Sequence, residues 1–273
     1  MQSSNSQEAV LGLRLIGVVH LLPLPGAPRF SGSMAAVLEA AMRDAAALAE
    51  GGADGIIVEN FGDVPFRAGR VDAETVAAMT LAVERVSAEA QLPIGVNVLR
   101  NDAASALGIA AATGASFVRV NVHAGAAVCD QGVIGGRADE TLRLRAALFP
   151  DPVTRPAILA DVHVKHAAPL GASEIGRAAL DTHLRGLADG LIVSGGGTGS
   201  GVDVGDIERV RAVLPDVPLF IGSGFTPANA AQLIAAGKRP FGAIVGTYLK
   251  EDGDVARPVD PARVAAVAAC FTG

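Results

Sequence analysis

Short runs of apolar residues alternate along the chain with longer segments whose apolar residues recur at helical spacing. Each short run is nearly continuous in Val, Ile, Leu, Ala and Gly, as is typical of strands buried on both faces of a parallel sheet. We therefore predict strands over residues 14–20, 55–59, 94–99, 117–122, 157–164, 190–194, 219–222 and 243–246.

The segments between these strands predict helices, which often end at or near glycine. They cover residues 33–50, 73–90, 102–113, 139–149, 173–186, 203–214, 226–236 and 261–270. Eight strand–helix units predict an α/β protein, a single (β/α)₈ barrel over residues 14–273 that follows a flexible tail over 1–13. The alternative is a doubly wound open sheet. That fold would call for a glycine-rich dinucleotide turn after the first strand, and residues 21–32 contain no GxGxxG.

Composition narrows the class of protein. The chain has 273 residues and a net charge of −6, which argues against a nucleic-acid-binding protein. The start of the chain lacks the basic and apolar regions of a signal peptide, and we predict no membrane insertion. The two cysteines, Cys129 and Cys270, have no metal-binding spacing. These features favour a cytoplasmic protein.

Polar residues interrupt the apolar strands near their carboxyl ends, where a (β/α)₈ barrel carries its active site. We predict catalytic roles for Lys165, Glu59, Asp161, His163 and His20. We predict ligand contacts from Asn97, Arg119, Asn121 and His123. The alternative is an internal network of ion pairs that only closes the top of the barrel.

Lys165 is the most specific candidate in this set. A lysine in a partly desolvated barrel mouth can act as a base or as a Schiff-base nucleophile. Alternatively, Lys165 forms an ion pair with Asp161 or Glu59, or contacts a phosphate. Glu59 is the other candidate general base.

Glycine-rich segments follow the last three predicted strands. Glycines there let backbone N–H groups approach an anion, and barrels often bind phosphate after their last two strands. We predict phosphate contacts from Ser194, Gly195, Gly196, Gly222, Ser223, Gly224, Gly246 and Thr247.

No cofactor is predicted from the sequence. A divalent metal is possible if His20, Glu59, Asp161 and His163 converge on one ion. A flavin that uses the same glycines is the less favoured alternative, and it would colour the protein yellow.

Several segments together resemble one protein family. They are IGVVHLLPLPGAP (16–28), DGIIVENFGDVPF (54–66), GVNVLRNDA (95–103), RVNVHAGAAVCDQGVIGG (119–136), ADVHVKHAAPL (160–170), IVSGGGTG (192–199) and IVGTYLKEDG (244–253). They resemble the BtpA family of photosystem I biogenesis proteins and its SgcQ-like bacterial relatives. The resemblance implies a TIM-type barrel. It also implies either a role in photosystem I accumulation or an enzyme of carbohydrate metabolism.

Two hypotheses for function follow. In the first, the barrel is an enzyme that acts on a phosphorylated sugar-like molecule by aldol cleavage, isomerisation or epimerisation. In the second, it is a non-catalytic assembly or stability factor that binds a protein partner through apolar loop residues. Those residues are Leu21, Leu22, Leu24, Phe30, Phe61 and Phe66. Under either hypothesis we expect a homo-oligomer, by analogy with other barrels.

Overall fold

A computed structural model describes residues 6–171, 174–196, 201–238 and 240–272 of the chain. The strands are, in chain order, β1 (Leu15–His20), β2 (Gly55–Glu59), β3 (Ile94–Asn97), β4 (Phe117–Val120), β5 (Ala126–Cys129), β6 (Gly132–Gly135), β7 (Ala157–Val162), β8 (Ala167–Pro169), β9 (Gly190–Val193), β10 (Leu219–Ile221) and β11 (Phe241–Val245).

Eight of the described strands are parallel and close into a barrel. Their spatial order is β1-β11-β10-β9-β7-β4-β3-β2, and the predicted (β/α)₈ fold is thereby confirmed. Residues of neighbouring strands pair at the same level: His20 of β1 pairs with Glu59 of β2, which pairs with Asn97 of β3. The polar ends of the first three strands therefore lie side by side at one rim of the barrel.

Helices surround the barrel on its outside, except for the first, which covers its amino-terminal end. They are α1 (Ser6–Leu11), α2 (Met34–Glu50), α3 (Ala73–Ala90), α4 (Ala103–Thr113), α5 (Ala138–Leu148), α6 (Ile175–Leu180), α7 (Val204–Val213), α8 (Ala230–Gly237) and α9 (Pro261–Ala268). Short 3₁₀ turns cover Pro152–Thr154, Thr247–Leu249, Glu251–Gly253 and Ala269–Phe271, and a π-helical turn, Asp181–Arg185, continues α6. Every helix in the described ranges is too short or too polar to traverse a lipid bilayer.

Two apolar layers explain why the strands are apolar on both faces. Inside the barrel, residues such as Ile57, Phe117 and Phe220 pack against one another and are fully buried. Outside it, alternate strand residues such as Ile56 and Val96 pack against the helices. Because both faces are filled, polar side chains are found mainly at the strand ends.

The sequence predicts a flexible tail over residues 1–13, but the second half of this segment is ordered against the barrel. Ser6–Leu11 is helical, and Val10 is only 1% exposed. Val10 packs into the interior layer of the barrel, and Leu11 and Leu13 lie against the same layer. The apolar residues of this segment therefore cover the amino-terminal end of the barrel, which removes them from water.

A small antiparallel sheet was not predicted. It has the order β6-β5-β8 and lies in the connections that follow β4 and β7. The turn between β5 and β6 ends at Gly132, whose φ is 92°, a value that favours glycine. The predicted long loop after the fourth strand therefore contains a hairpin, which adds a wall beside the mouth of the barrel.

Candidate functional site

A cavity of about 300 Å³ opens at the carboxyl ends of the barrel strands. This is the end at which (β/α)₈ barrels carry their active sites. Its wall is formed by Val18, His20, Glu59, Arg119, Lys165, Gly222, Ser223, Gly224, Phe225, Thr226, Ile244, Val245, Gly246, Thr247, Tyr248 and Gly253. Ionisable groups and glycine-rich strand ends thus line a single space.

Arg119 is the centre of a buried ion-pair network. Its Nε and Nη2 donate to the two carboxylate oxygens of Asp161 at 2.9 and 3.0 Å, and its Nη1 donates to Glu59 Oε1 at 3.2 Å. All three residues are 5% exposed or less. Burial lowers the pKa of the Arg119 guanidinium, but the Asp161 and Glu59 carboxylates outweigh burial and raise it above the ordinary value. The cluster therefore holds two carboxylates against one guanidinium.

Amide and hydroxyl groups extend the hydrogen bonding of this network. Asn121 Nδ2 donates to Asp161 Oδ2 at 2.9 Å, and Ser194 Oγ donates to Asp161 Oδ1 at 3.2 Å. Asn97 Nδ2 donates to Asn121 Oδ1 at 3.2 Å. The orientation of Arg119 is therefore set by residues that do not line the cavity: Asp161, Asn121 and Asn97. Arg119 and Glu59 themselves line the cavity. The predicted ion-pair network exists, and one side of it faces open space.

Lys165 follows β7 and lines the cavity. Its ammonium forms no ion pair with any carboxylate among the described residues, unlike the alternative considered from the sequence. Burial, and then the neighbouring Arg119 guanidinium, lower the pKa of the Lys165 ammonium, although the Glu59 and Asp161 carboxylates oppose this. A larger fraction of Lys165 is therefore neutral at a given pH than of an exposed lysine.

His20, at the end of β1, lines this cavity. Burial lowers its pKa well below the ordinary value, and the charges of Lys250, Lys165 and Arg119 act in the same direction. Its ring lies 4.5 Å from the ring of Phe61, measured between centroids. Its Nδ1 is buried and has no hydrogen-bond partner in the described part of the chain.

The glycines that follow β10 and β11 line the same cavity. Gly224 has a φ of 69°, and a Cβ at Gly222 would lie 2.4 Å from Ser194 Oγ, so both positions favour glycine. Within the described residues, the backbone N–H groups of Gly224 and Thr247 donate no hydrogen bond. Free donors of this kind next to a hydroxyl suit an anion.

The glycine-rich segment after β9 is described only in part. Gly195 N donates to Ser223 Oγ at 2.9 Å, and Gly196 O accepts from His166 N at 3.2 Å. Ser194 donates to Asp161 instead of lining the cavity. Residues 197–200 lie outside the described ranges. None of the three predicted phosphate contacts in this segment, Ser194, Gly195 and Gly196, lines the cavity.

The expectation that His163 and His123 would point into the same site is corrected. β7 ends at Val162, and His163 takes a left-handed φ of 57°, so the alternation of side chains breaks before it. His163 lies instead beside a small separate space next to β5. His123 lies beyond the end of β4, and its Nε2 bonds to Gly186 O at 2.8 Å.

Two features of the site were not found from the sequence. Tyr248, the one tyrosine of the chain, lines the cavity beside Thr247. It directly follows the predicted phosphate contacts Gly246 and Thr247, and this position could have indicated its place in the site. Arg100 is buried, and its Nη2 donates to the backbone oxygen of Lys165 at 2.5 Å. Nothing in the sequence pattern indicates this contact, which joins residues 65 positions apart.

The described residues contain no group of three His, Cys, Asp or Glu side chains placed to hold a metal ion. Of the four side chains considered for this role, only His20 and Glu59 line the cavity.

Most of the apolar loop residues proposed to bind a protein partner are packed against the rest of the chain. Leu21 and Leu24 are buried, the phenylalanines are partly buried, and only Leu22 is largely exposed.

Comparisons with known proteins match nearly the whole chain. A family model described as the BtpA family matches residues 13–272. The photosystem I biogenesis protein BtpA of Synechocystis is 51% identical over 252 residues, which cover 92% of this chain and 85% of that protein. An uncharacterized protein of Pyrococcus furiosus is 46% identical over 245 residues, covering 90% of this chain and 89% of its own length.

Solved structures match the fold at much lower identity. One is (S)-3-O-geranylgeranylglyceryl phosphate synthase of Thermoplasma acidophilum, in complex with its substrate sn-glycerol-1-phosphate. Its TM-score is 0.55 at 17% sequence identity, and the match covers 97% of this chain and 95% of that one. At this identity the likeness supports the barrel fold alone.

Proposed function

This chain belongs to the BtpA family, and from that premise we propose that it is an enzyme acting on a phosphorylated, sugar-like small molecule. The observation that carries the proposal is the mixed lining of the cavity. The backbone N–H groups of Gly224 and Thr247, which donate no hydrogen bond to any described residue, line the same cavity as Lys165, Glu59 and Arg119. A ligand with an anionic group at one end and a reactive carbon at the other fits this arrangement.

The phosphate seat is proposed at the ends of β10 and β11. The N–H groups of Gly224 and Thr247 and the Thr247 hydroxyl supply donors without a side-chain charge. Barrels frequently bind phosphate at this place, and the solved barrel of Thermoplasma acidophilum carries a glycerol phosphate. That analogy of fold supports the proposal, while the donors of this chain make it specific.

The reacting end is proposed at the ionisable wall. Glu59 is a carboxylate at hydrogen-bonding distance from a buried guanidinium, and Lys165 is an amine with a lowered pKa. A carboxylate and an amine on one side of a bound carbonyl compound can move protons to and from the carbon next to the carbonyl. Lyase or isomerase chemistry on a phosphorylated carbohydrate needs such proton transfers.

Thr247→Glu is expected to reduce the affinity for inorganic phosphate and for sn-glycerol 3-phosphate by at least about 100-fold, because a carboxylate would occupy the anion seat. Thr247→Val keeps the shape and the backbone donor, so we expect a loss of only about 5- to 10-fold. Isothermal titration calorimetry measures both values.

Thr154→Glu is the matched control for net charge. Thr154 is exposed and precedes β7, so it lies at the opposite end of the barrel. The proposed seat is wrong if Thr247→Glu binds as tightly as Thr154→Glu. The proposed function falls as a whole if the unaltered chain binds neither phosphate compound.

A second candidate function, assembly of photosystem I, is favoured by the name of the Synechocystis relative. The exposed apolar residues Val128, Val133 and Leu170, beside the barrel mouth, are a surface that a protein could cover. Expressing this chain in Synechocystis that lacks the relative, and measuring photosystem I, tests this role. Equal restoration by Thr247→Glu would indicate an assembly role that does not use the cavity, and no restoration by the unaltered chain would count against the role.

A further inference from the structure

The chain has three lysines, and their surroundings differ sharply. Lys250 is 2% exposed and donates to the Asp44 carboxylate. Lys238 is exposed at the amino-terminal end of the barrel, beside Arg14. Lys165 alone of the three lines the cavity at the carboxyl end, and it has no ion-pair partner among the described residues. Its amine is thus directed at the space where the ligand is proposed to bind.

The backbone around Lys165 is held on both sides. Its carbonyl oxygen accepts a 2.5 Å hydrogen bond from the buried guanidinium of Arg100. The next residue, His166, donates its N–H to Gly196 O at 3.2 Å. These two contacts fix the backbone from which the Lys165 side chain extends toward the cavity.

The protonation state of Lys165 also favours a nucleophile. The same burial that lowers its pKa leaves more of the amine neutral at moderate pH. Two carboxylates, those of Glu59 and Asp161, and two guanidinium groups, those of Arg119 and Arg100, act on Lys165. The charges around the amine therefore roughly balance, and burial remains the main cause of its lowered pKa.

We propose that Lys165 forms an imine with the carbonyl carbon of its ligand, which makes the substrate class a phosphate monoester that carries a ketone or an aldehyde. This inference rests on the proposed function, because the phosphate seat brings the carbonyl to the amine. A cavity volume of about 300 Å³ suits a small carbohydrate phosphate in its open-chain form.

The chemistry balances without an oxidant or a reductant. The lone pair of neutral Nζ forms a bond to the carbonyl carbon, and the C=O electron pair moves to oxygen, which takes a proton. The resulting carbinolamine loses this hydroxyl with a further proton as water, which leaves a protonated imine. The imine withdraws electrons from the adjacent carbon, so a C–H or C–C bond there can break and leave its electron pair in an enamine. Glu59 is placed to accept or return the proton. Addition of water then releases the product and restores Lys165.

Borohydride trapping tests this inference in the unaltered protein. Sodium borohydride reduces an imine to a stable secondary amine, which adds the mass of the ligand less one oxygen atom. The protein is treated with dihydroxyacetone phosphate, ribose 5-phosphate or fructose 6-phosphate, and peptide mass mapping measures the adduct at each amine. We expect at least one ligand to label Lys165 at least about 10-fold more than Lys238, which serves as the internal reference for an ordinary exposed amine.

Matched ligands and variants sharpen the result. Dihydroxyacetone lacks the phosphate and sn-glycerol 3-phosphate lacks the carbonyl, so we expect little labelling from the first and none from the second. Lys165→Arg keeps the charge but should abolish the adduct, whereas Lys238→Arg should leave the adduct at Lys165 unchanged. Labelling of Lys165 should rise with pH as its ammonium deprotonates.

The outcomes separate the inference from the proposed function. Suppose that sn-glycerol 3-phosphate binds to the unaltered chain but not to Thr247→Glu, and that no carbonyl phosphate labels Lys165 more than Lys238. The proposal of an imine is then wrong, and the proposed phosphate seat stands. Lys165 is then an electrostatic contact for the ligand. If labelling of Lys165 is equally strong with dihydroxyacetone, the phosphate does not direct the reaction and the inference is likewise overturned.

Discussion

Arg119→Met is expected to lower the free energy of unfolding by about 3–5 kcal/mol. Removing the guanidinium leaves Asp161 and Glu59 buried as carboxylates without their cation. Taking a charge out of water is tolerated only when a partner compensates it. The loss should be measured by urea denaturation at neutral pH, from the midpoint and slope of the unfolding curve.

Two further variants show whether the buried charge is the cause. Arg143 pairs with Asp139 at 3.4 Å, but both side chains are more than 70% exposed, so Arg143→Met should cost less than about 0.5 kcal/mol. Combining Arg119→Met with Asp161→Asn and Glu59→Gln removes all three charges and should restore most of the lost stability. An equal loss in Arg119→Met and Arg143→Met would contradict this interpretation of the network.

Lys250→Met is expected to have the second large effect, again about 3–5 kcal/mol. Lys250 donates to Asp44 on α2, and both residues are buried. Asp44 also accepts from Val259 N at 3.1 Å, so the pair ties α2 to the segment after β11. The backbone N–H of Lys250 also donates to Thr247 O, so a displacement of this segment after loss of the side-chain pair reaches Thr247, and we expect weaker phosphate binding as well as lower stability.

The exposed Lys238 provides the matched comparison, since Lys238→Met removes the same charge without leaving a buried carboxylate. Adding Asp44→Asn to Lys250→Met should recover part of the stability, because the unpaired charge is then absent. Thermal unfolding followed by circular dichroism, together with calorimetry of phosphate binding, measures both consequences. A loss in Lys250→Met no larger than that in Lys238→Met would show that the pair contributes little.

The regular part of the fold could be predicted from local patterns. The bounds of the strand Gly55–Glu59 and of the helix Ala73–Ala90 agree with the structure to the residue. In both, the apolar spacing and the flanking polar residues indicate the same element, so local and tertiary preferences coincide. The family resemblance noted in the sequence is confirmed by the match over residues 13–272.

Elements that depend on distant contacts could not be predicted in this way. The helix Ser6–Leu11 is short, and it is stabilised mainly by burial of Val10 under the barrel. The sheet of β5, β6 and β8 joins the connections after two different barrel strands. Only its turn, where Asp130 and Gln131 precede Gly132, carries a local signal.

The alternation of side chains along a strand predicts the position of those site residues that lie within or next to a strand. Arg119, Asn121 and Asp161 lie in or next to strands, and the structure brings them together at the rim. Alternation stops being informative where β7 ends, so it placed His163 wrongly in the same site. Lys165 reaches the cavity for another reason: Arg100 and Gly196 hold the turn that carries it.

A crystal structure with sn-glycerol 3-phosphate bound locates the phosphate directly. We expect the phosphate oxygens within hydrogen-bonding distance of the Gly224 and Thr247 N–H groups, with the carbon chain directed toward Lys165 and Glu59. The cavity at the other end of the barrel, which Arg14 and Lys238 line, offers the competing basic site. Phosphate bound only there, with the carboxyl-end cavity holding solvent alone, would contradict the assignment of the functional site.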